Sequence, residues 1–358
     1  MRWSYSIFKV KGISIELHLL FIVWFMFILV GLGIQGFLFF SLIFTIVLAH
    51  ELVHSLTAMM HGVKVPKITL LPIGGVASIE LPDDPVVELR VAVVGPMFNF
   101  MLAAVGLLLI FALNLDFIGY DEVTSGIVDG SFAMDSLSGI VSIIVSLNLI
   151  LGAFNMLPAF PMDGGRVFRS TLALWMDYTR ATRIATAVGQ FIFLTIAFLG
   201  LLSWNIWWIA IGGLLYLAGG SELKYISLRR ALKGARLRDI AVQDIRYVND
   251  GLTWREFLNT TFRRGENLYV KVDSDGVMRG VLDIRALKKV DPESRIGEED
   301  GLDFLVLDGD LRVDESLKLL LGKTLVLVSD RNKLLGYITQ DSLADATVFF
   351  ALTGEQRL

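Results

Sequence analysis

Six times in its first 220 residues the chain runs apolar for about 17 to 25 residues, the length a helix needs to cross ~30 Å of hydrocarbon. The runs lie near 14 to 33, 36 to 60, 89 to 113, 137 to 157, 183 to 202 and 204 to 220. A soluble fold cannot bury so much continuous apolar sequence, so the chain is expected to sit in a membrane as a multi-pass protein. Charge is distributed accordingly: of 32 Lys and Arg, residues 1 to 220 hold only 10. The remaining stretch is polar enough for a soluble domain. Arg2, Lys9 and Lys11 ahead of the first apolar run imitate a signal peptide, but no small-residue cleavage site follows, and the run is read as a retained first span.

The loops between spans alternate in charge. The N-terminus, the 61 to 90 loop (Lys64, Lys67, Arg90), the 158 to 183 segment (Arg166, Arg169, Arg180, Arg183) and everything after 222 are basic. The 114 to 136 loop has no Lys or Arg and carries Asp116, Asp121, Glu122, Asp129 and Asp135. Cytoplasmic loops collect Lys and Arg, so six transmembrane helices with both termini in the cytoplasm of a cell membrane satisfy every loop. Trp204, Trp207 and Trp208 mark an interfacial belt at the turn between the last two spans. A net charge of −4 gives no cationic field for nucleic acid, which is not expected as a partner.

Between the second and third spans, VPKITLLPIGGVASIEL (65 to 81) alternates and breaks at Pro72, Gly74 and Gly75, the pattern of a short β hairpin. Such a hairpin has to lie against protein or a watery cavity, because bare strand edges cannot face lipid. From about residue 236 the pattern changes to short strands and amphipathic helices. It does so twice, with a period of roughly 55 residues, which predicts paired α+β units.

One of these spans carries ionisable groups. His50, Glu51 and His54 stand as HELVH in the second run. On a helix the two histidines, four apart, share a face and can bind one zinc, with Glu51 beside them to take a proton from water. Ionisable groups within a span are expensive in lipid and mark function. With no cysteine in the chain, a metal must be held by His, Asp or Glu. A catalytic zinc needs a third protein ligand. The candidate is Asp163 in NMLPAFPMDGGR (155 to 166), where Pro158 and Pro161 break the fourth span and Gly164 and Gly165 permit close backbone approach. His18 reads as an interfacial anchor, and His61 with Gly62 as the close of the second span.

HExxH in one span with Asn-x-x-Pro-x-x-Pro-x-Asp-Gly in a later one resembles the site-2 protease family of intramembrane zinc metalloproteases. Gly95, Pro96 and Asn99 in VGPMFNF are similar to that family's Gly-Pro-x-x-Asn element. The resemblance implies one zinc per chain on His50, His54 and Asp163, Glu51 as general base, and Asn155 helping to hold the substrate carbonyl or its oxyanion. It assigns Gly74, Gly75 and Asn99 to positioning substrate or the hairpin. The implied substrate is a single membrane-spanning segment of a tethered protein, and lipid is its surrounding. The C-terminal half resembles a tandem of CBS modules. GYITQDSL supplies Gly336, Thr339 and Asp341 for an adenine nucleotide, with a spacing one residue short of that family's form. The first repeat departs further, with Asp283 and Arg285 in those slots. A tandem serving only homodimer assembly is the other reading.

The expected organisation is therefore a protease domain over 1 to 222, a linker over 223 to 235 and a cytoplasmic α+β CBS-type tandem over 236 to 350. Two rivals stay open. A CBS-gated divalent-metal transporter would use the same ligands, although the six spans show no internal duplication of the kind transporters carry. An inactive membrane scaffold would be expected to have lost a ligand or the glutamate, and neither is missing.

Overall fold

A computed structural model describes residues 3–79, 84–119, 134, 136–264, 266–274, 278–286, 291–296, 304–331 and 333–353. Asp121, Glu122, Asp129 and Asp135 of the acidic loop, and the last residues of the expected hairpin, 80 and 81, lie outside them. The chain divides into two compact units, Met1–Leu223 and Lys224–Leu358.

In the first unit, strands β1 (Ser4–Val10) and β2 (Ile13–His18) pair antiparallel across Lys11 and Gly12, both at positive φ. β2 continues in parallel to β3 (Lys67–Leu71), which pairs antiparallel with β4 (Gly74–Ala77), giving a sheet in the order β1-β2-β3-β4. The expected hairpin is thus half of a larger sheet. The first span accordingly begins later than residue 14. Ile13, Ile15 and Leu17 alternate with Ser14, Glu16 and His18, a strand's period and not a helix's. Ile13, Ile15 and Ile68 are buried together, and Glu16 pairs with Lys67 at 3.0 Å.

Helix α1 (Leu19–Met60) is interrupted at Gly33, whose φ of 67° and ψ of −165° only glycine adopts readily. His18 caps its start by accepting from Leu20 N, and His61 and Gly62 close its end. Helix α2 (Pro85–Ala112) begins on Asp84, whose carboxylate accepts from Val86 N and Val87 N, with Pro85 in the first turn. Helix α3 (Leu137–Asn155) is capped by Ser136. Helix α4 (Asp163–Ala173) lies inside what the sequence presents only as a basic connecting segment. Helices α5 (Tyr178–Leu202) and α6 (Ile206–Ala231) complete the set.

Five of these, α1, α2, α3, α5 and α6, are long and apolar enough to cross a membrane. Six separate spans were expected; the first two fall within α1, one helical segment on each side of the non-helical Gly33. The outward faces are apolar: Phe27, Val30, Phe111 and Phe191 are each more than 70% exposed. Such surfaces drive association in water and suit hydrocarbon. Trp204 and Trp207 are exposed at the α5–α6 turn, as an interfacial belt requires.

In the second unit, after a one-turn helix α7 (Leu237–Ile240), one pattern occurs twice. Strand β5 (Tyr247–Asn249) leads through helix α8 (Trp254–Thr260) to a parallel β6 (Leu268–Val272), which turns back antiparallel into β7 (Met278–Asp283). Strand β8 (Phe304–Asp308), helix α9 (Val313–Leu321), β9 (Leu325–Asp330) and β10 (Lys333–Thr339) repeat it, and helix α10 (Gln340–Thr353) follows. The sequence repeat is therefore a repeat of topology. Val270 and Val281 of one sheet bury against Leu325 and Leu327 of the other, so the two halves share a core.

Candidate metal centre

The helical rise places His50 and His54 on one face of α1, their rings 4.7 Å apart, 3% and 5% exposed. Asp163 reaches them as the first residue of α4. Its Oδ2 stands 3.1 Å from His50 Nε2 and 3.0 Å from His54 Nε2, and the two nitrogens are 3.1 Å apart. Two imidazole nitrogens and a carboxylate oxygen are a zinc donor set. Ligands about 2.0 to 2.2 Å from a tetrahedral ion lie roughly 3.3 Å apart, close to this spacing. Among the described residues these three form the group suited to a metal.

What lies behind the ligands fixes their chemistry. Asn148 Nδ2 donates to the carbonyl of Ile144 at 2.8 Å, so its Oδ1 faces Asn99 and accepts from Asn99 Nδ2 at 2.7 Å. That in turn directs Asn99 Oδ1 at His50 Nδ1, 2.5 Å away. A backbone carbonyl cannot donate, so the whole chain has one polarity and His50 must carry its proton on Nδ1. His54 Nδ1 lies 2.6 Å from the carbonyl of Val91, with the same result. Both Nε2 lone pairs are thereby presented to the space beside Asp163, the arrangement metal-binding histidines use.

Glycines let the elements approach. A Cβ at residue 95 on α2 would overlap His54 Nε2 and Cε1 and stand 2.8 Å from His50 Cε1, so only glycine allows that helix to lie against the ligand face. Cβ atoms at 164 and 165 would run into the backbone of 156–160, so Gly164 and Gly165 seat the start of α4 on that loop. A Cβ at Gly75 would stand 2.8 Å from Glu51 Cγ, which puts β4 directly against the glutamate. Gly74, at φ 140°, forms the turn that delivers it.

Asn99 is fully buried, and both polar atoms of its amide are engaged, the oxygen by His50 and the nitrogen by Asn148. Asn155 donates from Nδ2 to the carbonyl of Leu151, 3.0 Å away, one turn back on α3. Asn148 escaped the sequence reading, although a buried amide in the middle of an apolar span is a signal in itself.

A second cluster also escaped it. Arg169 on α4 donates from Nε and Nη2 to Glu88 Oε1 on α2 and from Nη1 to Glu222 on α6 at 3.1 Å. Tyr178 donates to the other oxygen of Glu88 at 2.9 Å. Far from all of these in sequence, Thr339 and Asp341 line a cavity of about 260 Å³ in the second unit, with Asp244, Arg246, Glu266, Arg285 and Tyr337 among its walls. Arg246 is paired with Asp244 and Glu266, and Arg285 with Asp283 and Asp341. Thr339 Oγ1 also accepts from Ser342 N, capping the start of α10.

Residues 38–199 match peptidase family M50. A zinc metalloprotease of Methanocaldococcus jannaschii is 31% identical over 361 residues, 99% of each chain. Among solved structures, the site-2 protease from Methanocaldococcus jannaschii is 36% identical and covers 62% of this chain and 95% of its own, with a TM-score of 0.44. A protein with a CBS domain pair and an ACT domain from Thermotoga maritima is 24% identical and covers 32% of this chain and 97% of its own, with a TM-score of 0.26.

Proposed function

The chain belongs to peptidase family M50, the zinc metalloproteases of site-2 protease type, and on that premise we propose that it cuts single-span transmembrane segments inside the bilayer. The observation that carries this reading is the convergence of His50, His54 and Asp163 within 4.8 Å of one another, at the inner face of apolar helices, with Glu51 next in sequence.

When bound, zinc supplies Lewis acidity, which makes water a nucleophile near neutral pH and polarises a carbonyl. The chain's residues do the rest. Asn99 and Val91 fix the proton of each imidazole on Nδ1 and turn both Nε2 atoms toward the space beside Asp163. Glu51 accepts the proton of the attacking water and returns it to the leaving amine. β4 is one of the two edge strands of its sheet and lies against Glu51. A substrate segment, once unwound, can add to that edge as a further strand, with Gly74 and Gly75 leaving room for its backbone at the glutamate. Asn155 would hold the scissile carbonyl after releasing Leu151.

The loop charges support both termini lying in the cytoplasm. The tandem would then be a cytoplasmic regulatory domain of CBS type that assembles as a homodimer and takes an adenine nucleotide at Thr339 and Asp341. The cavity those two residues share supports the site. The test is cleavage of a panel of tagged single-span substrates by the purified full-length protein. Wild type should cut, a zinc chelator should stop it, and Glu51→Gln should keep zinc without cutting. Wild-type cleavage by Glu51→Gln would end the proposal.

A further inference from the structure

Arg169 has no part in the chemistry just described, yet it is the most elaborately held charge in the first unit. Its side chain is 4% exposed, and every polar group of its guanidinium faces a carboxylate from another helix. Its Cζ lies over two rings, 4.7 Å from the centroid of Phe160 and 5.0 Å from that of Tyr178. Phe160 stands three residues before Asp163. Arg169 therefore grips both the helix that starts with Asp163 and the loop that leads into it.

That loop is enclosed by small residues. Gly189 on α5 meets Ala159, where a Cβ would come within 2.9 Å of its Cα, and Gly219 on α6 meets Phe160, where a Cβ would stand 3.1 Å from its carbonyl oxygen. Gly219 and Glu222 are three apart and so share a face of α6. One face of that helix supplies both the surface the loop rests on and the carboxylate that Arg169 holds. For stability alone, apolar side chains of similar volume serve as well as a buried ion cluster. What a charged fork adds is a fixed register among α2, α4 and α6, because its hydrogen bonds are directional.

We propose that Arg169 is a positioning residue for the third zinc ligand: with Glu88 and Glu222 it sets where the start of α4, and hence Asp163, stands against His50 and His54. The inference rests on the zinc reading above. It makes the ligand's placement depend on Glu222, near the end of the first unit, on a helix that continues to Ala231.

The test is zinc affinity of the full-length protein, by competition with a chromophoric chelator, together with the visible spectrum of the cobalt-loaded form. Glu222 is partly exposed, so Glu222→Gln should fold. It should lower zinc affinity by about tenfold, the low end of what outer-shell substitutions do, and shift the cobalt bands. Arg169→Gln should lose more. In the Arg169→Gln background, adding Glu222→Gln should change nothing further, the mark of two residues acting through one contact. Arg169→Lys should recover part of the loss. Wild-type affinity and an unchanged cobalt spectrum in Glu222→Gln, with or without a lowered melting temperature, would overturn the proposal and leave the cluster purely structural. If the wild type itself bound no zinc, the failure would lie in the functional reading.

Discussion

Gly95→Ala is a one-carbon change that should disarm the site without harming the helix that carries it. On propensity alone, alanine favours an interior helical position over glycine by about 1 kcal/mol. The added Cβ, however, would stand 2.8 Å from His50 Cε1 and closer still to His54. Non-bonded carbons settle at about 3.5 to 4.0 Å. Contact with His50 must therefore open by roughly 0.7 Å, and that with His54 by more. Metal–ligand distances tolerate only about 0.2 Å. The rings cannot retreat freely, because Asn99 and Val91 hold their far sides. Zinc affinity should fall by at least about 100-fold, the upper end of the range for outer-shell lesions, and cleavage should fall with it. Chelator competition on purified protein measures the first, and gel-resolved cleavage of a tagged substrate the second. Wild-type zinc affinity in Gly95→Ala would refute the packing argument, since the helices would then have room that the structure denies them.

Asn99→Ala should weaken zinc binding by about 10- to 100-fold; a raised KM at unchanged zinc affinity would favour the substrate-positioning role. Single cysteines at positions 66 to 79 should react with a polar thiol reagent added from the cytoplasmic side, and labelling from the opposite face alone would overturn the orientation. Asp341→Ala should abolish adenine nucleotide binding by calorimetry while leaving zinc content intact, and unaltered nucleotide affinity would remove that residue from the site. Glu256 closes a capping box, and bonds from Thr253 N and Oγ1 hold its carboxyl below the usual carboxylate range. A depressed folded value stabilises above the unfolded one and is lost as pH falls through the folded one. Thr253→Ala should therefore flatten the acid side of the melting-temperature profile of full-length protein.

The three candidate ligands were legible because each sat in a pattern with its own physical cause. Histidines four apart share a helix face, and Pro158, Pro161, Gly164 and Gly165 announce a broken span whose aspartate turns inward. The repeat after 236 was legible because a strand-helix-strand-strand unit copies its hydrophobic pattern when it is copied. Ile13–His18 was misread as the start of a span, because its apolar residues merge with those of α1 and only their alternation reveals the strand. The break at Gly33 was legible as the gap between the first two apolar runs, although a glycine in such a run gives no sign of its φ. The partners of Asn99, His50 and Asn148, come from other helices, and only packing brings them together. The Glu88–Arg169–Glu222 cluster draws its charges from three separate segments, each of which reads alone as a flank of a span.

The central claim is that His50, His54 and Asp163 bind one zinc. X-ray absorption at the zinc edge of purified full-length protein tests it most directly, combined with metal analysis of single alanine variants at the three positions. The account predicts close to one zinc per chain, a first shell of nitrogen and oxygen with two imidazoles and no sulfur, and loss of the metal in His50→Ala, His54→Ala or Asp163→Ala. Zinc held undiminished by all three variants, or a shell with fewer than two imidazoles, would contradict it.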